Sequence, residues 1–173
     1  LRKSEALPTV SVCQAWLDHA DIDAVLAAPA ALPFVRGIRH KPRAAAGPEQ
    51  ARRGATGSMD DPRWRAGFAA LERHGFSFDL QTPFWHADAA RALARDFPRT
   101  TVIVNHTFLP NDRSNEGLAA WRRALALVAA SPNVMLKISG LGLPGQEIVA
   151  FDVGDVEPKA QSGCDLSHRC GAA

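Results

Sequence analysis

Residues Thr101 to Pro110 read TVIVNHTFLP, and this stretch decides the fold. Val102, Ile103 and Val104 stand unbroken, all β-branched, as expected of a strand buried on both faces in a parallel sheet covered by helices. Asn105 and His106 end the apolar run, and Pro110 with Asn111 marks the turn beyond it. In parallel α/β sheets the chemistry collects where strands end at their carboxyl edge. His106 falls at that edge. VRGIRH (35–40), FSFDLQ (76–81) and VMLKISG (134–140) also carry polar groups at their strand ends.

Working outward, Asp112 or Ser114 opens a helix whose apolar stripe is Leu118, Trp121, Leu125 and Val128, and Ser131-Pro132 stops it. Asn133 to Leu141 reads as the next strand. On the amino-terminal side, a helix over about His86 to Asp96 buries Ala90, Leu93 and Ala94 and ends at Phe97-Pro98. Phe76 to Gln81 is a strand. Asp61 before Pro62 is a helix start, Trp64, Phe68 and Leu71 face the core, and Gly75 closes that helix. Lys41 to Asp61 is the one long irregular segment, of a length usually found in lids or disordered loops. Phe34 to His40 is a strand whose Gly37 marks a close approach. Asp18 or Asp21 caps a helix over roughly Ile22 to Ala31, stopped by Pro33, and Thr9 to Leu17 is the first strand.

Five strands therefore alternate with four helices, which requires an α/β fold with a parallel sheet and right-handed crossovers. An open doubly wound sheet and a closed eight-stranded barrel both fit. The phosphate loop GxxxxGK[ST] is absent, and polar residues at each strand end favour the barrel, whose sites are assembled from many strand ends. A full barrel needs about 250 residues. At 173 residues and five strands, the expectation is an incomplete (β/α)8 barrel.

Composition bounds the partners. With 46% hydrophobic and 22% charged residues the chain can bury a core, and a net charge of +2 points to neither nucleic acid nor a membrane surface. Cys13, Cys164 and Cys170 form no disulfide framework, so a reducing, cytoplasmic setting is expected. LRKSEALPTV lacks a signal-peptide core.

VRGIRH, FSFDLQ, VIVNHT and NVMLKISGLG, in this order and at helix-sized intervals, resemble the amidohydrolase-related metal-dependent hydrolases, and within them the lactonase-like branch. The resemblance covers about Trp16 to Gln146. It implies a distorted (β/α)8 barrel that hydrolyses a cyclic ester with an activated water. It also implies roles by position: His106 as a metal ligand or carbonyl polariser on the fifth strand, and Arg39 as the substrate-pairing arginine on the third. Asp79 with Gln81, and Lys137 with Ser139, share strand faces by the two-residue period and would line the pocket. The implied cofactor is a divalent ion such as zinc, with a metal-free route also open. The implied partner is a small anionic or hydroxylated substrate.

The departures are equally specific. No His-x-His pair occurs anywhere in the chain. No counterpart of the family's last-strand aspartate is evident, since Asp152 follows the fifth strand of this chain too closely. The expectation is a barrel portion over residues 1–146, an unrelated tail over 147–173, and a chain inactive by itself. Two other readings stay open: a decarboxylase of aromatic acids from the same superfamily, and a non-catalytic product whose open sheet pairs with another chain. Plainer roles also stand: Arg39 and Lys137 as ion partners of Asp79, and His40, His74 and His86 as packing or surface residues. Arg43, Arg52 and Arg53 would be solvated or part of a lid, and Cys164, His168 and Cys170 a chance cluster.

Overall fold

The computed structural model describes residues 9–140. Within them, five strands and four helices alternate: β1 Ser11–Gln14, α1 Ile22–Ala30, β2 Val35–His40, α2 Pro62–Arg73, β3 Ser77–Leu80, α3 Ala87–Asp96, β4 Val102–Val104, α4 Asn115–Ala129 and β5 Val134–Leu136. β1 and β5 are shorter than the sequence suggests, and β5 gives way to two further backbone bonds, Lys137 N–H to the Val104 carbonyl and Thr107 N–H to the Lys137 carbonyl. After Gln14 a single amide bond, Ala15 N–H to the Arg39 carbonyl at 3.2 Å, continues the pairing.

Caps explain the helix starts. Asp21, not Asp18, caps α1 by accepting from the Ala24 amide. Asp61 caps α2, its two oxygens accepting from the Arg63 amide at 2.9 Å and the Gly57 amide at 2.6 Å. Those backbone donors, led by Gly57, hold its carboxyl below the usual carboxylate range. Both candidates at α4 act: Ser114 Oγ accepts from the Gly117 amide, while Asp112 accepts from the Ser114 amide.

Every adjacent strand pair is parallel, and the order across the sheet is β1-β2-β3-β4-β5. This order separates the two architectures. A doubly wound sheet reverses direction at a switch point, so its spatial order is not its chain order. A singly wound sheet keeps chain order and is the barrel arrangement. Motifs do not separate the two, since Gly140, Gly142 and Gly145 in GLGLPG carry the bare GxGxxG spacing of a dinucleotide turn.

One sheet face is sealed by helices. Trp64 and Phe68 of α2 stack at 5.5 Å and meet Phe78 of β3 edge-on at 5.7 and 5.0 Å. Leu80, Val102 and Val104 join the same buried core. Gly67 lets α2 lie directly on the chain after β1, since a Cβ there would stand 1.7 Å from the Leu17 carbonyl oxygen. Gly37 plays the expected part, with Ser77 Oγ 2.5 Å from the position of its absent Cβ. The opposite face carries the polar row described next, and Val12 and Met135, which share its parity, are exposed.

Candidate active site

Strand register builds the first group. Arg39 pairs across to Asp79, and Asp79 to Ile103, so β2 and β3 deliver a cation and a carboxylate side by side. Asp79 is fully buried. Its Oδ2 receives Lys137 Nζ at 2.6 Å and Arg39 Nη2 at 3.4 Å. Asp79 Oδ1 and Arg39 Nε are buried with no hydrogen-bond partner. The ion-partner reading of Arg39 and Lys137 is therefore what the geometry displays. Each cation keeps about two-fifths of its side chain exposed, leaving it able to reach a second anion. Gln81, two residues beyond Asp79, is partly buried and joins this group through no hydrogen bond.

His106 belongs to a second group. Residues His106, Thr107, Phe108 and Leu109 all have positive φ, between 51° and 65°, and are the only non-glycine residues so placed among those described. Left-handed backbone costs a side-chain-bearing residue roughly 1–2 kcal/mol, so this turn exists only because its surroundings hold it. Trp121 of α4 donates its indole N–H to the Thr107 carbonyl at 2.7 Å. The Thr107 amide reaches the Lys137 carbonyl at 3.0 Å, and its hydroxyl donates to the Ser139 carbonyl at 2.8 Å. His106 Nδ1 and Ser139 Oγ lie 3.1 Å apart. Gly140 backs the ring: a Cβ there would sit 2.8 Å from His106 Cβ and 3.0 Å from Nδ1. His106 Nε2 is thus the ring nitrogen left for a ligand.

The sequence suggests one convergent cluster; the structure shows two, joined through the backbone of residues 137–139. Thr107, Trp121 and Gly140 escape a sequence reading because each acts through the conformation of a turn. Asn105 is also a site candidate, fully buried with neither carboxamide atom bonded. Its adjacency to His106 was the signal.

Two of the other described histidines, His40 and His86, are packing residues, while His74 lies 3.6 Å from Asp23 as a surface ion-pair partner. His40 lies between β2 and α2, where its Nδ1 accepts from the Leu17 amide at 3.2 Å and from Trp64 Nε1 at 3.0 Å. Burial holds its pKa below the ordinary value, against the opposing pull of Asp18. His86 Nε2 accepts from the Ala45 amide at 2.9 Å, and burial lowers its pKa too, opposed by Asp60. With Trp85 Nε1 donating to the Ala45 carbonyl, His86 ties down the long loop. Arg53 pairs with Asp60, and Arg52 donates to the Glu49 and Ala51 carbonyls, so both are occupied within that loop.

A resident metal needs several converging His, Cys, Asp or Glu side chains. Among the described residues no three of them do so, and His106 offers one ligand at most. The described residues therefore do not compose a metal site. Asp152, Cys164, His168 and Cys170 lie outside them, as does the proposed boundary near residue 146.

A singly wound parallel sheet with ionic and imidazole groups gathered at its carboxyl rim defines part of a β/α-barrel protein. A sequence model of the amidohydrolase family matches residues 9–155, and the chain belongs to that family. It is 30% identical over 158 residues to an L-fucono-1,5-lactonase of Burkholderia ambifaria, covering 90% of this chain and 51% of that protein. It is 45% identical over 82 residues to an uncharacterized protein, y4mH, of Sinorhizobium fredii, 27% of whose length is covered. A crystal structure of a Burkholderia multivorans amidohydrolase with bound zinc overlays with a TM-score of 0.61 at 25% identity, covering 79% of this chain and 46% of that one. The same enzyme with bound HEPES gives 0.58, also at 25% identity, with 72% and 42% covered. The chain thus spans about half or less of the length of these relatives.

Proposed function

We propose that this chain supplies the substrate-holding side of a hydrolase that opens a lactone. His106 Nε2 faces the scissile carbonyl, which it polarises, and Arg39 and Lys137 hold hydroxyl or carboxylate groups of a small substrate. The lactonase relative at 30% identity across most of the chain supports the choice of bond. The observation that carries the reading is the anchoring of His106: Ser139 and Gly140 fix the imidazole at the carboxyl rim and leave one nitrogen available. A planar guanidinium suits the substrate role because it presents several donors in a fixed fork.

The water-activating base lies elsewhere. Asp79 is buried and its Oδ2 is engaged by Lys137 and Arg39, so its part is to hold those two cations at the rim. Among the described residues, which do not compose a metal site, polarising and holding the substrate fall to His106, Arg39 and Lys137. The 173-residue chain is accordingly expected to bind substrate without turning it over.

The test compares this chain with a chimera in which residues 9–140 replace the matching segment of the Burkholderia ambifaria lactonase. Proton release from a panel of five- and six-membered lactones reports ring opening. The chimera is expected to turn over and the chain alone is not. His106→Ala should cost the chimera about 10²–10³-fold in kcat. Unchanged turnover in that variant removes the assignment, and hydrolysis by the chain alone removes the claim that its base is missing.

A further inference from the structure

The left-handed turn at residues 106–109 is the largest local departure from ordinary backbone among the described residues, and it begins at the residue on which the proposed chemistry turns. Strained backbone that persists at a rim position is held by its surroundings and is a reason to look for function. Hydrogen bonds within the turn do not account for it. The Phe108 amide reaches the Asn105 carbonyl and the Leu109 amide reaches the His106 carbonyl, bonds that an ordinary right-handed turn would also make. What is particular is the external grip on Thr107. Its carbonyl is taken by Trp121 of α4, while its amide and hydroxyl are taken by the chain following β5.

From this grip we infer that Trp121 is a positioning residue for His106, acting through the carbonyl of Thr107. The inference rests on the reading of His106 as the substrate-facing imidazole, and it adds a residue of the helix layer that acts on the ring through a backbone carbonyl. Besides the backing by Gly140, the ring is set by the left-handed φ of His106 and by the Nδ1–Ser139 Oγ contact. These last two meet at Thr107, which continues the left-handed turn and whose hydroxyl donates to the Ser139 carbonyl. Trp121 is the grip on Thr107 from the helix layer. The indole is buried and its hydrogen bond is short, so solvent does not compete for that carbonyl. Without the bond, the turn can relax toward right-handed backbone, and the ring loses its single setting.

The test reads the ring directly and needs no turnover. Long-range proton–nitrogen NMR of His106 in the full chain is expected to show one tautomer, with two well-separated ring nitrogen signals. Trp121→Phe keeps an aromatic ring and removes only the donor. It should draw the two nitrogen signals together and speed amide exchange at Phe108 and Leu109 by about five- to tenfold, the effect of one lost hydrogen bond. Leu109→Gly relieves strain at φ 51° without touching the ring or Trp121. Added to Trp121→Phe, it should restore the separated signals. Trp85→Phe removes another indole bond to a loop carbonyl, that of Ala45, and should leave His106 unchanged.

Wild-type ring signals in Trp121→Phe overturn the inference, as does an equal change in Trp85→Phe. Should Trp121→Phe fail to fold, the double variant with Leu109→Gly decides: a cooperative melt with wild-type ring signals supports the role, and any other result refutes it. Failure here leaves the lactone assay untouched, and failure of that assay leaves the ring spectrum to be read by itself.

Discussion

The most informative perturbation is a pair of substitutions at one ion pair, Asp79→Asn and Lys137→Met, with their double variant. The two partners differ in solvent. Asp79 is completely buried, whereas Lys137 and Arg39 keep two-fifths of their side chains exposed. Removing the carboxylate charge leaves two cations that can rehydrate, so Asp79→Asn forfeits little more than one charge-assisted hydrogen bond, about 1.5–3 kcal/mol. Removing the lysine leaves a buried carboxylate whose Oδ1 has no partner and whose Oδ2 keeps only the 3.4 Å contact to Arg39. Stranding a buried charge costs about 3–5 kcal/mol, and the remaining arginine places this case toward the lower end. Lys137→Met should therefore be the costlier change, although the lysine is the more exposed residue. The double variant, with no charge stranded, should be more stable than Lys137→Met alone. Urea unfolding by circular dichroism measures all three. At about 2–4 °C per kcal/mol for a chain of this size, thermal midpoints should fall by roughly 3–12 °C for Asp79→Asn and 6–20 °C for Lys137→Met. If Asp79→Asn proves the costlier change, or the double variant is the least stable of the three, the account of Asp79 as a buried anion dependent on its cations is wrong.

Three further outcomes are expected. The folded-state pKa values of His40 and His86 are lowered, so their neutral forms contribute fully above the unfolded value of about 6.5, and stability is lost as pH falls below it; the urea midpoint should drop between pH 7.5 and pH 5.5, and a flat profile contradicts this. Gly67→Ala places a Cβ against the Leu17 backbone, so α2 must shift, at about 1–3 kcal/mol as for other overpacked sites; a melt equal to wild type denies the close approach. Gly140→Ala meets both a φ of +65° and the His106 ring, and should cost roughly 1–2 kcal/mol while displacing the His106 ring signals; a stable variant with wild-type signals shows the ring is not backed there.

Much of the fold is legible along the chain. The β-branched run at 102–104, the Asp61-Pro62 start and the Trp64–Phe68–Leu71 stripe each have one satisfactory structural outcome, because periodicity and capping are local properties. The strand tips bearing Arg39, Asp79, His106 and Lys137 are legible for the same reason: a strand's end and the parity of its residues follow from local sequence. Boundaries are less so. β1 and β5 end where pairing stops, and pairing is set by a neighbour.

What one dimension withholds is the partnering across strands and layers. Chain order across the sheet is a choice among topologies that share one pattern of elements, and only the pairing of β1 to β5 in sequence separates them. The division of the rim into an ion group and an imidazole group is likewise a matter of register and of one left-handed turn. Thr107, Phe108 and Leu109 carry no glycine signature, so their conformation comes from Trp121 and residues 137–139, fourteen and some thirty positions away. Side-chain chemistry at the strand ends is written residue by residue. Its arrangement is decided by contacts between residues far apart in the chain, which exist only once the sheet and helices have packed.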